Sequence, residues 1–482
     1  MTAIQPIRSN LRLEVLGAAQ LAEIKAATLH LLQHTGVRFP SPWALDVLEQ
    51  NGATVDRTSQ VVKFPPDLVL GALHHAPRVY TLAGRTAGRE LVLDGSSTYF
   101  GTDGCGTRTL DFEGGGERLS CKEDVARMAR VVDALPSMAF YWPMVSAQDY
   151  GELAPLHELE ASFHNTVKHV QMETAMGKEI AVNSVRMAEL VAGGSRELRK
   201  RPVFSNLICT VAPLSQDKEG IEAGMIYAQA GVPVGFMAMP SMGSTAPATP
   251  GGALVVGNAE VISALVLMQL VSPGAPVFHS LLASVINPRT AEYIVSTPEK
   301  YLCNAAAVQI AHDWGVPSLA GAFGMDHIQP NTWELGRDSV YTALMVSLLG
   351  ADMAVAAGLL DASTLLVPEQ ILFDDEIYQI NRRVAAGIDT SPEGLALDVI
   401  AAVGPGGHFL GQRHTRKHLR EIQIPTLSHP LDGLPGEPQP DIRQRARARL
   451  DQILAEHQPE PLAAGLQAEL RAILQAAQKE LA

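Results

Sequence analysis

Apolar and polar positions follow two rhythms along this chain, and the change from one to the other predicts its architecture. In residues 1–95, Leu21, Ile24, Thr28 and Leu31 recur at helical spacing, and Gly36 marks a stop. Ser41 before Pro42 sets a capping hydroxyl ahead of a proline at the first helical turn. A further helix follows Pro65, Pro66 and Asp67, and the runs 52–55 and 60–64 fit a small hairpin. These residues read as an N-terminal helical region.

From Thr98 short apolar runs alternate with long amphipathic stretches. Strands are predicted near 98–102, 138–145, 168–173, 203–210, 232–239, 276–283, 316–323 and 352–358. Each is followed by a helical pattern. Ser120 to Glu123 reads as a capping box ahead of the apolar stripe Val125, Met128, Val132 and Leu135, and Ser296 to Glu299 opens another helix in the same way. An open doubly wound sheet calls for a Gly-x-Gly-x-x-Gly turn after its first strand, whereas Gly101, Gly104 and Gly106 have a different spacing. The predicted class is therefore α/β, a TIM (β/α)8 barrel over residues 96–365. Residues 366–482 form a C-terminal extension that completes and caps the barrel, with a proline-rich stretch at 430–440 and alanine- and leucine-rich helices after it.

Composition narrows the function. The 482 residues carry a formal charge of −14, which disfavours nucleic acid as a partner. With 46% hydrophobic and 18% charged residues the chain is too apolar for disorder. The four cysteines, Cys105, Cys121, Cys209 and Cys303, form no Cys-x-x-Cys pair, and no signal peptide is apparent at the start. Cytoplasmic placement is expected. The apolar run 261–271 is too short to span a bilayer and contains Ser263 and Gln269, so no membrane association is expected.

In such a barrel the chemistry gathers at the carboxyl ends of the strands. Read strand by strand, the candidates there are Asp103, Gln148, Glu173, Thr210, Ser241, His279, and Asp326 with His327. The set is poor in metal ligands and no bound metal is expected; His414 and His418 are four apart but surrounded by Arg413, Arg416, Lys417 and Arg420. Each candidate has a structural alternative: Asp103 as a cap in a glycine-rich loop, Glu173 as a partner of Lys168, His279 as a satisfied core group. Tyr99, Phe100, Tyr141, Trp142, Phe236 and Phe323 fall on predicted strands, where they form either an aromatic cage for a quaternary ammonium or barrel packing.

Several segments together resemble the trimethylamine methyltransferase family. They are TLHLLQHTGVRF at 28–39, YFGTDGCG at 99–106, ALP at 134–136, GSTAPATPGG at 243–252, NAE at 258–260 and SPGAP at 272–276. GLLD at 358–361, PEQ at 368–370, DDE at 374–376 and GHFLG at 407–411 continue the series to about residue 430. The resemblance implies a barrel enzyme that moves a methyl group from a methylamine to the cobalt of a corrinoid (cobalamin) on a separate partner protein. It also divides the family into members with pyrrolysine and members without it. This chain has only standard residues and is similar to the second set, whose characterised relatives demethylate quaternary amines such as glycine betaine. The segment 324–330 (GMDHIQP) differs from the Asp-Ala-Lys or Asp-Ser-Lys type of many relatives.

From their place after the seventh predicted strand, with Gly321 and Gly324 just before them, Asp326 and His327 are the expected catalytic pair. Tyr99, Asp103, Glu173 and Phe323 are expected on the ammonium side of a betaine, and His279 with His327 on the carboxylate side. Expected partners are the corrinoid protein, a small quaternary amine and further copies of the chain. Rival readings are a different methyl donor or acceptor, such as trimethylamine or tetrahydrofolate, and a non-catalytic betaine-binding protein.

Overall fold

The computed structural model describes residues 3–324, 326, 329–429 and 440–481. Eight parallel strands close into a barrel. In chain order they are β1 (Tyr99–Thr102), β2 (Met138–Tyr141), β3 (His169–Met172), β4 (Phe204–Cys209), β5 (Val234–Ala238), β6 (Val277–Leu281), β7 (Ser318–Gly321) and β8 (Met353–Ala357). β8 pairs with β1, so no edge is left open. Every strand anticipated from the pattern is present, each a little shorter than its apolar run.

The covering helices are α1 (Lys122–Ala134), α2 (Ala154–Asn165), α3 (Lys178–Ala192), α4 (Lys218–Ala230), α5 (Pro250–Val271), α6 (Pro298–Trp314), α7 (Trp333–Leu349) and α8 (Gln370–Ala385). Side-chain caps fix the starts of α4 to α7; Asp217 accepts from Gly220 N at 2.7 Å, and Thr332 Oγ1 from Leu335 N at 3.2 Å. Two caps lie one residue later than the sequence suggested. The cap of α1 is Cys121, with Asp124 completing the box, and the cap of α6 is Thr297. In α1 the reason is visible: Asp124 is held by Arg118 at 2.7 Å and its carboxylate accepts from Cys121 N at 2.9 Å.

Helix α5 is longer than the apolar run 261–271 noted in the sequence. It is 22 residues long and apolar enough to cross a membrane, yet 78% of its most apolar window is buried. It packs against β5, β6 and the N-terminal helix Ala18–His34, which is the situation of a core helix in a barrel wall. Residues 1–95 contain helices Ala18–His34, Pro42–Gln50 and Pro66–Leu73 and a three-stranded sheet, with Ser41 Oγ accepting from Ala44 N as its position before Pro42 implied.

The amino-terminal base of the barrel is closed by satisfied polar groups. Lys168, just before β3, donates from Nζ to the carbonyls of Val132, Leu135 and Met138 at 2.6, 2.7 and 2.6 Å. It therefore does not pair with Glu173, as the sequence allowed. His169 bridges Ser205 Oγ at 2.8 Å and Ala83 O at 3.0 Å. Close packing inside the barrel depends on two glycines of the β1 segment. A Cβ on Gly101 would lie 2.3 Å from the Phe140 ring, and one on Gly104 would lie 1.9 Å from Trp142 Nε1.

Candidate active site at the barrel mouth

Three elements deliver the first group of side chains. Glu173 follows β3, Cys209 ends β4, and Cys105 lies in the loop after β1 with a left-handed backbone (φ 73°). Both thiols donate to the same carboxylate, Cys209 Sγ to Oε1 at 2.8 Å and Cys105 Sγ to Oε2. Local desolvation of the sulfur, and then the Glu173 charge, pushes both thiols well above their usual range, although Cys105 as a residue is exposed and Cys209 half-buried. They are protonated donors at neutral pH rather than nucleophilic thiolates. Gln171, two residues before Glu173 on the same face of β3, is buried with both amide atoms unpartnered among the described residues.

Asp103 stands beside this group, 6% exposed. Ser363 Oγ donates to its Oδ2 at 2.6 Å and Gly104 N to its Oδ1 at 2.9 Å, but burial outweighs both and raises its pKa to about 7. Asp374 on α8 is raised to about 7 in the same way; Gly358 N and Gln370 Nε2 occupy its oxygens.

The far side of the mouth comes from β6, β7 and the start of α6. Asp326 Oδ2 accepts from Val295 N at 2.8 Å. Tyr293 lies within electrostatic reach of Asp326, Cys209 and Asp103. Lys300, in the first turn of α6, is 1% exposed and lies within reach of Asp326, Asp338 and Asp103; burial lowers its pKa to about 8. Among the described residues no group of three or more His, Cys, Asp or Glu could hold a metal ion.

Of the residues chosen from sequence, the mouth unites Asp103, Glu173 and Asp326. Three others lie elsewhere. Tyr99 is the first residue of β1, at the base, and its hydroxyl accepts from Val92 N at 3.2 Å. His279 faces outward to α5, where Nε2 meets Asn258 Oδ1 at 3.0 Å, and burial drives its pKa down to about 3. Phe323 packs on Phe100 at 5.7 Å between ring centres, and Phe100 on Tyr378 of α8 at 5.0 Å, so these rings lie between the barrel wall and helix. The expected cage is thereby reduced: Tyr141 donates to Val125 O on α1, Phe236 lies against Gly224 of α4, and Trp142 stands beside Gly104 after β1. His327 lies outside the described residues.

The sequence reading missed Cys105, Cys209, Tyr293 and Lys300. Cys209 is the last residue of its strand and was within reach of the strand-end rule, which instead picked Thr210. Thr210 turns to Glu260, with Oγ1 to Oε2 at 2.5 Å. Lys300 sits three residues after a capping threonine, and no strand-end rule points there.

The family profile described as Trimethylamine methyltransferase (MTTB) matches residues 1–482. The chain belongs to this family. It is 32% identical over 464 residues to the trimethylamine methyltransferase of Desulfitobacterium hafniense strain DSM 10664 / DCB-2, covering 96% of this chain and 93% of the relative. It is equally 32% identical over 473 residues to the glycine betaine methyltransferase of Desulfitobacterium hafniense strain Y51, covering 97% and 98%. The enzyme class, methyltransferase, is common to both names. The crystal structure of the Methanosarcina barkeri monomethylamine methyltransferase superposes with a TM-score of 0.52 over 97% of this chain and 88% of that one. At 10% identity that likeness concerns the barrel fold alone.

Proposed function

We propose that this methyltransferase takes a methyl group from a quaternary amine, glycine betaine or a similar betaine, and passes it to the Co(I) of a corrinoid carried by a separate protein. The observation that carries the reading is the charge of the mouth. Glu173, Asp103 and Asp326 converge there, and the two thiols that border Glu173 stay neutral. A permanent cation suits such a site, because its charge survives at every pH and makes a neutral tertiary amine the leaving group. No proton has to be delivered before the carbon–nitrogen bond breaks. The chain's own work is then to seat the ammonium among the carboxylates and beside Trp142, orient one methyl outward and exclude water.

The acceptor approaches over the mouth, the only end of the barrel not plugged by the contacts of Lys168, His169 and Tyr99 among the described residues. The test is incubation with glycine betaine and reduced corrinoid proteins. Dimethylglycine formed one for one with methylated corrinoid supports the reading. Turnover of trimethylamine with no betaine accepted, or betaine binding with no product, overturns it.

A further inference from the structure

Lys300 is a mouth residue whose charge a purely cationic substrate leaves unexplained. Its backbone N is tied to Thr297 Oγ1 at 3.3 Å, which directs the first turn of α6 at the barrel. Its ammonium has three donors, yet it makes no hydrogen bond or ion pair among the described residues. The nearby carboxylates are engaged elsewhere. Asp103 takes Ser363 and Gly104, Asp326 takes Val295 N, and Asp338 takes Arg337 at 2.8 Å and the Tyr301 hydroxyl. A cation in so buried a residue, its donors not taken up by the described residues, gains from a ligand that completes it.

The charge pattern says which ligand. Among the described residues, carboxylates gather on the β1 and β3 side and at Asp326, while the Lys300 ammonium stands at α6. A dianion such as phosphate would meet net repulsion, and a simple tetraalkylammonium would leave Lys300 unanswered. A zwitterion with one fixed positive and one negative end satisfies both. We infer that Lys300 binds the substrate's carboxylate and is the residue that selects betaines over amines lacking an acid group. This rests on the proposed reaction and goes beyond it by assigning the anionic end of the substrate, a role the sequence had given to His279 and His327.

The experiment is calorimetric binding without corrinoid protein, comparing glycine betaine with choline and tetramethylammonium. The intact protein should prefer betaine. Lys300→Met should weaken betaine about 30-fold and leave the two carboxylate-free cations within about twofold, the difference expected for one charge-assisted contact. Lys300→Arg should restore part of the betaine affinity. A second readout separates ligation from a structural role. With its pKa lowered to about 8, Lys300 should take up protons when a carboxylate arrives, so near pH 8.5 the betaine binding enthalpy should depend on the buffer's ionisation heat. That dependence should vanish in Lys300→Met. Unchanged betaine preference in Lys300→Met, or equal loss for all three ligands, overturns the assignment while leaving the reaction untouched. An intact protein that prefers carboxylate-free amines overturns the reaction itself.

Discussion

Lys168 and Lys300 are buried alike, 2% and 1% exposed, at opposite ends of one barrel. At the base, Lys168 spends all three donors on the carbonyls of Val132, Leu135 and Met138, where α1 ends and β2 begins. At the mouth, Lys300 has carboxylates in reach and no direct partner among the described residues. Burial lowers both pKa values, to about 7 and about 8. Desolvation alone therefore does not separate a structural lysine from a binding one; the partners do. The same division runs through the histidines and carboxylates. Base and wall groups such as His169 and Glu158 are enclosed by hydrogen bonds, Glu158 by Ser146, Ala147 and Thr174, whereas among the described residues the Gln171 amide has no partner and Lys300 makes no direct bond.

The largest effect should come from exchanging that division at its base. Lys168→Met leaves three buried carbonyls without a donor and should cost about 3 kcal/mol or more of stability, read as a lowered urea midpoint. Binding of betaine by the folded fraction should be unchanged. Lys300→Met removes a buried charge whose neighbouring carboxylates keep their own hydrogen-bond donors, and its stability should stay within about 1 kcal/mol of the parent. Equal stability losses in the two variants would abolish the contrast.

Glu173→Gln tests the opposite pole of the mouth. The amide keeps the shape and an acceptor oxygen for one of the two thiols but removes the charge facing the ammonium. Affinity for betaine, choline and tetramethylammonium should all fall about tenfold or more, since the lost attraction is to the cation common to them. This is the mirror of Lys300→Met, which separates betaine from the others.

How far the sequence reached follows the same line. The eight strands were legible because short continuous apolar runs and period-3.6 stripes record burial, and burial on both faces is what a closed parallel barrel imposes on each strand. Asp103, Glu173 and Asp326 were legible because the chain direction of each strand places its end at the mouth. Tyr99, His279 and Phe323 were misplaced because a strand's position says little about which face or which end a side chain serves: His279 and Phe278 are neighbours on β6, yet His279 meets α5 while Phe278 lies against Gly235 of the adjoining strand. Lys300 was missed because it is supplied by a helix's first turn, and its lack of partners is a property of three-dimensional neighbours alone.

A smaller, pH-dependent effect belongs to Asp103. Its folded pKa of about 7 exceeds the ordinary aspartate value of 3.8, so the native state holds a proton that the unfolded chain releases between about pH 4 and 7. Stability contributed by this group therefore falls as pH rises through that window, while attraction for a cationic ligand grows as the carboxylate ionises. Betaine affinity should rise from pH 6 to 8 in the parent protein. Asp103→Asn should flatten this rise and lower affinity about fivefold at pH 8. Asp374, also raised to about 7, remains in the variant and preserves part of the stability slope, so the ligand titration is the sharper measurement.

The smallest effect returns to the base, at a residue the sequence had placed in the site. Tyr99→Phe removes the acceptor of Val92 N at 3.2 Å and nothing at the mouth. A single neutral hydrogen bond is worth about 1 kcal/mol, so a slight fall in the unfolding midpoint is expected. Affinities for betaine and for choline should both match the parent, because Tyr99 begins β1 while Asp103 follows its end, and the strand between them, with Gly101 packed on Phe140, is held by its own ladder to β2 and β8. A loss of cation affinity in this variant would mean that base and mouth are mechanically coupled through β1, and the difference between the two lysines would then have to be sought in that coupling rather than in their local partners.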